Sequence, residues 1–204
     1  ADFTIANLEV TLGTLPYSGY PQFSSPAALA VALKNAGVDI LLTANNHSAD
    51  KRKKGIEKTI DILDSLNIPH TGTYKDSVSR QKNHPFIIEK NGIKVALMNY
   101  TYGTNGIPVS HPNYVNMLRR EVILTDLKNA RSLNPDKIIL YFHNSSFEKI
   151  AAMLKIRDQL FWCFCHDSAS NNVINSGCPR FLFISIINHT LCCIKQTKAY
   201  ILFK

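Results

Sequence analysis

Cysteine is missing from the first 162 of the 204 residues; all five, Cys163, Cys165, Cys178, Cys192 and Cys193, lie beyond that point. A disulfide framework or a thiolate metal site is therefore excluded from most of the chain. Long hydrophobic runs are also lacking: none approaches the ~20 residues that a membrane-spanning helix needs. Acidic residues are scarce at one end only. Residues 151–204 hold 2 acids against 6 Lys and Arg, whereas residues 1–150 hold 13 against 17, so the net charge of +8 divides evenly, +4 and +4. Neither part interleaves basic with aromatic residues as a nucleic-acid groove would, so no nucleic-acid partner is expected. The densest basic run, Lys51-Arg52-Lys53-Lys54, opens a helix, reads as a solvated face, and leaves a polyanion contact as its alternative.

What is present is an ordinary globular composition, 45% hydrophobic and 19% charged, enough for one α/β domain with a core. Up to about residue 145 strand and helix patterns alternate. "FTIANLEV" reads as a strand, followed by a loop rich in Gly, Tyr, Pro and Ser. Pro26 opens a helix that Gly37 stops. "VDILLTA" is a short buried strand, and Ile56, Ile60, Leu63 and Leu66 recur at helical spacing. "HPFIIEK" and "IKVALMNYTY" flank Asn91-Gly92, a pair suited to a type I′ hairpin turn. A helix over "REVILTDLKNARSL" and a buried strand "DKIILYFH" complete the pattern. After His143 only a helix from about Phe147 to Phe161 is expected, and the rest shows no clean period.

Two of the sharpest apolar strands end in metal-competent residues, at Asn45-Asn46-His47 and at His143. Sites in open α/β sheets collect at the carboxyl ends of strands. An Asn-Asn-His after a strand serves equally as a turn, because Asn tolerates left-handed backbone and caps helices. The residues alone leave turn and site both open. His70, His84 and His111 have no ligand spacing around them and are read as structural.

"ANLEV", "GYPQFSSPAALAVALKNAGVDILLTANNHSADKRKKGIEKTIDILDSLNIPHTGT", "NGIKVALMNYTYGTNGIPV" and "DKIILYFH" together resemble the CapA family of bacterial capsule and poly-γ-glutamate synthesis proteins. The resemblance runs from about Asp2 to His143, so residues 1–143 are expected as a CapA-like domain and residues 144–204 as an off-pattern tail. It implies a metallophosphatase-type fold, here a partial four-layer αββα sandwich with an irregular C-terminal tail and with the family's first strand outside this chain. It also implies divalent metal ions (Mn, Fe, Zn or Mg) and an anionic cell-envelope polymer such as polyglutamate, or capsule assembly proteins, as partners. A cell-surface location in a bacterium goes with it. By resemblance Asn7, Glu9, Asn46 and His143 stand at metal-binding or substrate-orienting positions, and His47 where a histidine assists the leaving group.

The family's Gly-Asp strand, its His-Trp-Gly segment and its closing Gly-x-His-Pro-His motif have no counterpart here: His143 is followed by Asn144-Ser145-Ser146. So abrupt an end of similarity is what a changed reading frame or a replaced ending leaves. The remaining ligands are mostly neutral, while two divalent ions need carboxylate charge as well as imidazole. A hydrolase ancestry with an incomplete active site is the expectation, and a non-catalytic polymer-binding or export component is the alternative. A zinc cluster among the late cysteines and His166 is a rival whose Cys-x-Cys and Cys-Cys spacings fit structural zinc poorly. Disulfides would leave one thiol over.

Overall fold

The computed structural model describes residues 3–143, 161–166, 181–187 and 190–192. The opening strand β1 (Phe3–Leu8) is followed by β2 (Thr11–Gly13) and β3 (Ser24–Pro26), which pair with each other at the two ends of the Tyr- and Pro-rich loop. Pro26, in extended conformation, caps α1 (Ala27–Asn35), and Gly37 at φ +86° turns the chain out of it. The strand β4 (Ile40–Leu42) is buried throughout, and α2 (Arg52–Ser65) buries Ile56, Ile60 and Leu63, the stripe read from the sequence. Two short strands follow, β5 (His70–Thr71) and β6 (Thr73–Tyr74).

The next helix, α3 (Ser77–Asn83), has no apolar periodicity to announce it and buries none of its residues. A capping box sets it instead: the Asp76 carboxylate accepts from the Ser79 amide at 2.6 Å, and the Asp76 amide donates to the Ser79 hydroxyl at 3.1 Å. The hairpin of β7 (Phe86–Lys90) and β8 (Ile93–Thr101) turns on Asn91 at φ +53° and Gly92 at φ +76°, the two left-handed residues that a type I′ turn requires. Then come β9 (Tyr114–Val115), α4 (Arg120–Ser132) and β10 (Lys137–His143).

Three strands lie in the segment whose sequence shows no clean period: β11 (Phe161–His166), β12 (Phe181–Ile187) and β13 (Thr190–Cys192). Parallel β11–β10 and β12–β1 pairs join β11 and β12 to the two main sheets. Strands in parallel sheets read as unbroken apolar runs, as "FWCFC" and "FLFISII" do, so alternation could not reveal them. The tail is thus less irregular than its pattern implies. The helix expected before Phe161, and the zinc and disulfide readings of the cysteine side chains, lie outside the described residues.

One sheet has the order β13-β12-β1-β4-β5, the other β11-β10-β8-β7. Ile5, Ile40 and Leu42 of the first pack against Val95, Leu97, Ile139 and Tyr141 of the second. On the far side of the first sheet, Ala6, Leu8 and Leu41 meet Ala30, Leu33, Ile62 and Leu63 from α1 and α2. On the far side of the second, Met98, Tyr100, Leu140 and Phe142 meet Ile123, Leu127 and Ala130 of α4. The layers are therefore helix, sheet, sheet, helix: the partial αββα sandwich that the resemblance implies. Two sheets face to face bring the ends of β1, β4 and β10 to one rim.

A strand-end polar cluster as the candidate functional site

At that rim four of the predicted residues meet. His143, at the end of β10, sets its Nε2 2.6 Å from Asn46 Oδ1 and 3.4 Å from Glu9 Oε1. Asn7 Nδ2 donates to Glu9 Oε2 at 3.0 Å and lies 3.4 Å from His143 Nδ1. Asn7, Glu9 and His143 are buried and Asn46 is half-buried, and the cluster joins the two sheets. An amide N–H can only donate, so Asn7 assigns Nδ1 as the acceptor and puts the ring proton on Nε2, pointed at Asn46 and Glu9. The oxygen of Asn7 faces elsewhere, accepting from Asn45 Nδ2 at 3.3 Å. Asn7 therefore orients Glu9 and His143 through its nitrogen rather than presenting an oxygen.

The two asparagines of "ANNH" divide the work that the sequence left open. Asn45 is the turn: its Nδ2 donates to the Leu8 carbonyl at 2.7 Å, and its Oδ1 accepts the His47 amide at 3.0 Å. Ser48 locks the same turn, its hydroxyl accepting from the Asn45 amide at 2.8 Å. Asn46 is the one that meets His143. Its Nδ2 donates to Asn105 Oδ1 at 3.2 Å, which fixes the amide so that its oxygen faces His143.

His47 stands one residue away with partners of its own. Its Nδ1 is 2.8 Å from Asp50 Oδ2, and the Phe23 ring lies against it with centroids 4.5 Å apart. Among the described residues the His47 ring bonds to Asp50 rather than to His143. Asp50, buried, also accepts the Phe23 amide at 2.6 Å. A carboxylate on Nδ1 holds that nitrogen protonated and leaves Nε2 as the imidazole's working atom. Sequence reasoning passed over Asp50, although a His-x-x-Asp spacing within a turn was there to be seen.

Asn99 is a second omission, and it lies inside the quoted "NYTYGTNG" segment. From β8 in the other sheet its Oδ1 accepts the Ala44 amide at 2.7 Å and its Nδ2 donates to the Ala44 carbonyl at 3.1 Å. One side chain thus acts as a strand partner for the residue that leads into the site turn. Gly72 makes room: at φ +121°, a Cβ there would stand 2.3 Å from Asn99 Oδ1. Asn116 continues the brace, donating from Nδ2 to the Asn99 carbonyl at 3.1 Å and accepting at Oδ1 from Arg80 Nε at 2.6 Å.

Behind the brace lies a buried ionic network that no ligand pattern marks. His84 Nε2 and the Tyr100 hydroxyl approach Asp126 Oδ2 at 3.2 and 2.8 Å, and Arg80 completes the set. Burial pushes the Asp126 carboxyl up, but hydrogen bonds from His84 and Arg80 outweigh it and hold the group below its usual range. Burial pushes His84 down, only partly offset by Asp126. Reading His84 as structural fits this position.

Residues 1–151 match the family of bacterial capsule synthesis protein PGA_cap. The chain belongs to that family. The match continues past His143, where the quoted similarity stops. No curated protein matches the chain. Among solved structures, the NAD nucleotidase NadN of Haemophilus influenzae is similar at 21% identity with a TM-score of 0.49, covering 70% of this chain and 26% of that one. The capsule-family chain thus spans a minor part of that protein's length.

Whether this capsule-family site suits divalent metal turns on its donors. Asn46 Oδ1 and Glu9 Oε1 converge on His143 Nε2, and these three atoms are an oxygen–nitrogen set of the right kind for one ion. Glu9 is the only carboxylate among them, and His143 must first give up the proton on Nε2. Among the described residues there is no group of three His, Cys, Asp or Glu side chains able to hold a metal ion. Among the described residues these donors carry one carboxylate, less negative charge than a pair of divalent ions needs. No described helix is long and apolar enough to cross a membrane.

Proposed function

We propose that the chain serves the production of an anionic capsule polymer, poly-γ-glutamate, at the cell envelope, and that its strand-end site binds without turning over. Residues 1–143 are the site-bearing domain on this reading. The observation that supports it is the charge of the cluster among the described residues: one carboxylate, Glu9, beside Asn7, Asn46 and His143. Two ions set ~3.5–4 Å apart, the arrangement that stabilises both attacking and leaving oxygens, need more negative charge than this. The same groups suit a polymer of amides and carboxylates. The His143 N–H and the Asn amides supply donors and acceptors for its carboxylates and amides.

A second reading, hydrolysis of a phosphate ester, is favoured by the His47–Asp50 pair at 2.8 Å, a geometry that suits proton delivery to a leaving group. Retention of the purified chain on immobilised poly-γ-glutamate, before and after chelation, separates the two when run beside hydrolysis of an aryl phosphate in manganese. The binding reading expects retention that survives chelation and no hydrolysis above that of a His47→Ala variant. Metal-dependent turnover abolished by His47→Ala would overturn it.

A further inference from the structure

Among the eight large hydrophobic side chains exposed in the described structure, three sit on one loop: Leu15 at 77%, Tyr17 at 45% and Tyr20 at 84%. A fourth, Tyr102 at 49%, follows β8 on the segment that carries Asn105 to Asn46. Half of these exposed apolar groups thus belong to two loops, one leading into Phe23, which packs on His47, and one carrying Asn105 to Asn46. Scattered single hydrophobics need no explanation, but a concentration beside a polar site does.

The first loop, residues 14–22, contains no charged residue. It is tied at its root, where the Ser18 amide and the Ser24 carbonyl bond at 3.1 Å and the reverse pair at 2.8 Å. Its last residue adjoins Phe23, whose ring packs on His47 and whose amide binds Asp50. The other wall is cationic. Lys51 ends the site turn, and Arg52, Lys53 and Lys54 open α2 with their side chains exposed. Packing of Thr11 against Gly55 joins the two walls: a Cβ on Gly55 would lie 3.3 Å from Thr11 Cγ2. The uncharged aromatic arm thus leads through Phe23 to His47, and the basic run follows the same turn at Asp50.

We infer that this rim is a chain-binding face, with Leu15, Tyr17, Tyr20 and Tyr102 contacting the planar amides and methylenes of an extended polyamide, and Lys51 to Lys54 meeting its carboxylates. The inference rests on the polymer reading above and adds the surface that makes the ligand a chain rather than a small anion. Tyrosine suits the task because it offers a rigid apolar face with a wet hydroxyl edge. The two walls differ in salt response. Contacts between exposed charges are screened by salt, whereas apolar contacts are not.

Binding of fluorescently labelled poly-γ-glutamate to the full chain, measured across a range of salt concentrations, tests this. The Leu15→Ala/Tyr17→Ala/Tyr20→Ala variant is expected to bind roughly tenfold more weakly at every salt with the wild-type salt slope. Replacing Lys51, Arg52, Lys53 and Lys54 by serine is expected to flatten that slope. Tyr17→Phe/Tyr20→Phe, which keeps the ring faces, should bind as wild type does. Wild-type affinity in the alanine variant, or a loss that vanishes as salt rises, overturns the aromatic arm while leaving the polymer reading standing. Failure of the wild-type chain to bind the polymer at any salt overturns the polymer reading and the arm with it.

Discussion

Replacing Asn99 with leucine tests the brace that carries the site turn. The two side chains share one branched heavy-atom skeleton, so the change deletes hydrogen bonds while leaving little void. The lost bonds run to the amide and the carbonyl of one residue, Ala44, at 2.7 and 3.1 Å. Ala44 and Asn99 are fully buried, so water has no easy access to the orphaned groups. A buried backbone group left without its partner costs about 1–3 kcal/mol, so the pair should cost roughly 2–6 kcal/mol. In a domain of this size that lowers Tm by roughly 5–20 °C. Urea unfolding at pH 7 would measure the loss. The imidazole signals of His143 should move as well, because the turn that presents Asn46 to His143 loses its cross-sheet anchor. Tyr100→Phe, one residue along β8, is the control: it deletes a bond to Asp126 and should leave the His143 signals in place. A stability within 1 kcal/mol of wild type, or unchanged His143 signals in Asn99→Leu, would refute the reasoning.

Three further outcomes follow from the same structure. Asp126→Asn leaves buried Arg80 without its counter-charge and should cost about 3 kcal/mol, the low end for breaking a buried ion pair, in a chemical melt at pH 7. Acid should weaken the wild-type fold in two stages. His84, held neutral by burial, favours the unfolded chain as pH falls below the ordinary histidine range, and Asp126, held low, withdraws its contribution as pH falls through its depressed value. In both windows the unfolded state binds more protons, so Tm should fall monotonically below pH 6.5, and the lower stage should be missing in Asp126→Asn. Gly72→Ala should reproduce the effect of Asn99→Leu on the His143 signals, since its Cβ would occupy the place of Asn99 Oδ1.

The parts of the molecule legible in the sequence are those that local rules determine. Asn91-Gly92 encodes its turn in two residues, and the stripe of α2 repeats at 3.6. The strand ends at Asn46 and His143 were visible because apolar runs stopped at polar residues, and a parallel sheet turns such stops into a common rim. Asp50 was legible in its His-x-x-Asp spacing, whereas Asn99 was not, because its role depends on Ala44, 55 residues away, which only the packed sheets bring close. Nor could the sequence say which way the Asn7 amide points. Its donor faces Glu9 because Asn45 takes its oxygen, a choice made by three strand ends together. The strands β11 and β12 escaped because their near-continuous apolar runs, of the kind parallel strands carry, show no alternation.

Titration of the full chain with Mn²⁺ by calorimetry, alongside Glu9→Gln, tests most directly whether this rim holds one weak cation rather than a catalytic pair. The account predicts at most one ion per chain, bound weakly and lost on Glu9→Gln. Two ions bound tightly to the wild-type chain would contradict it.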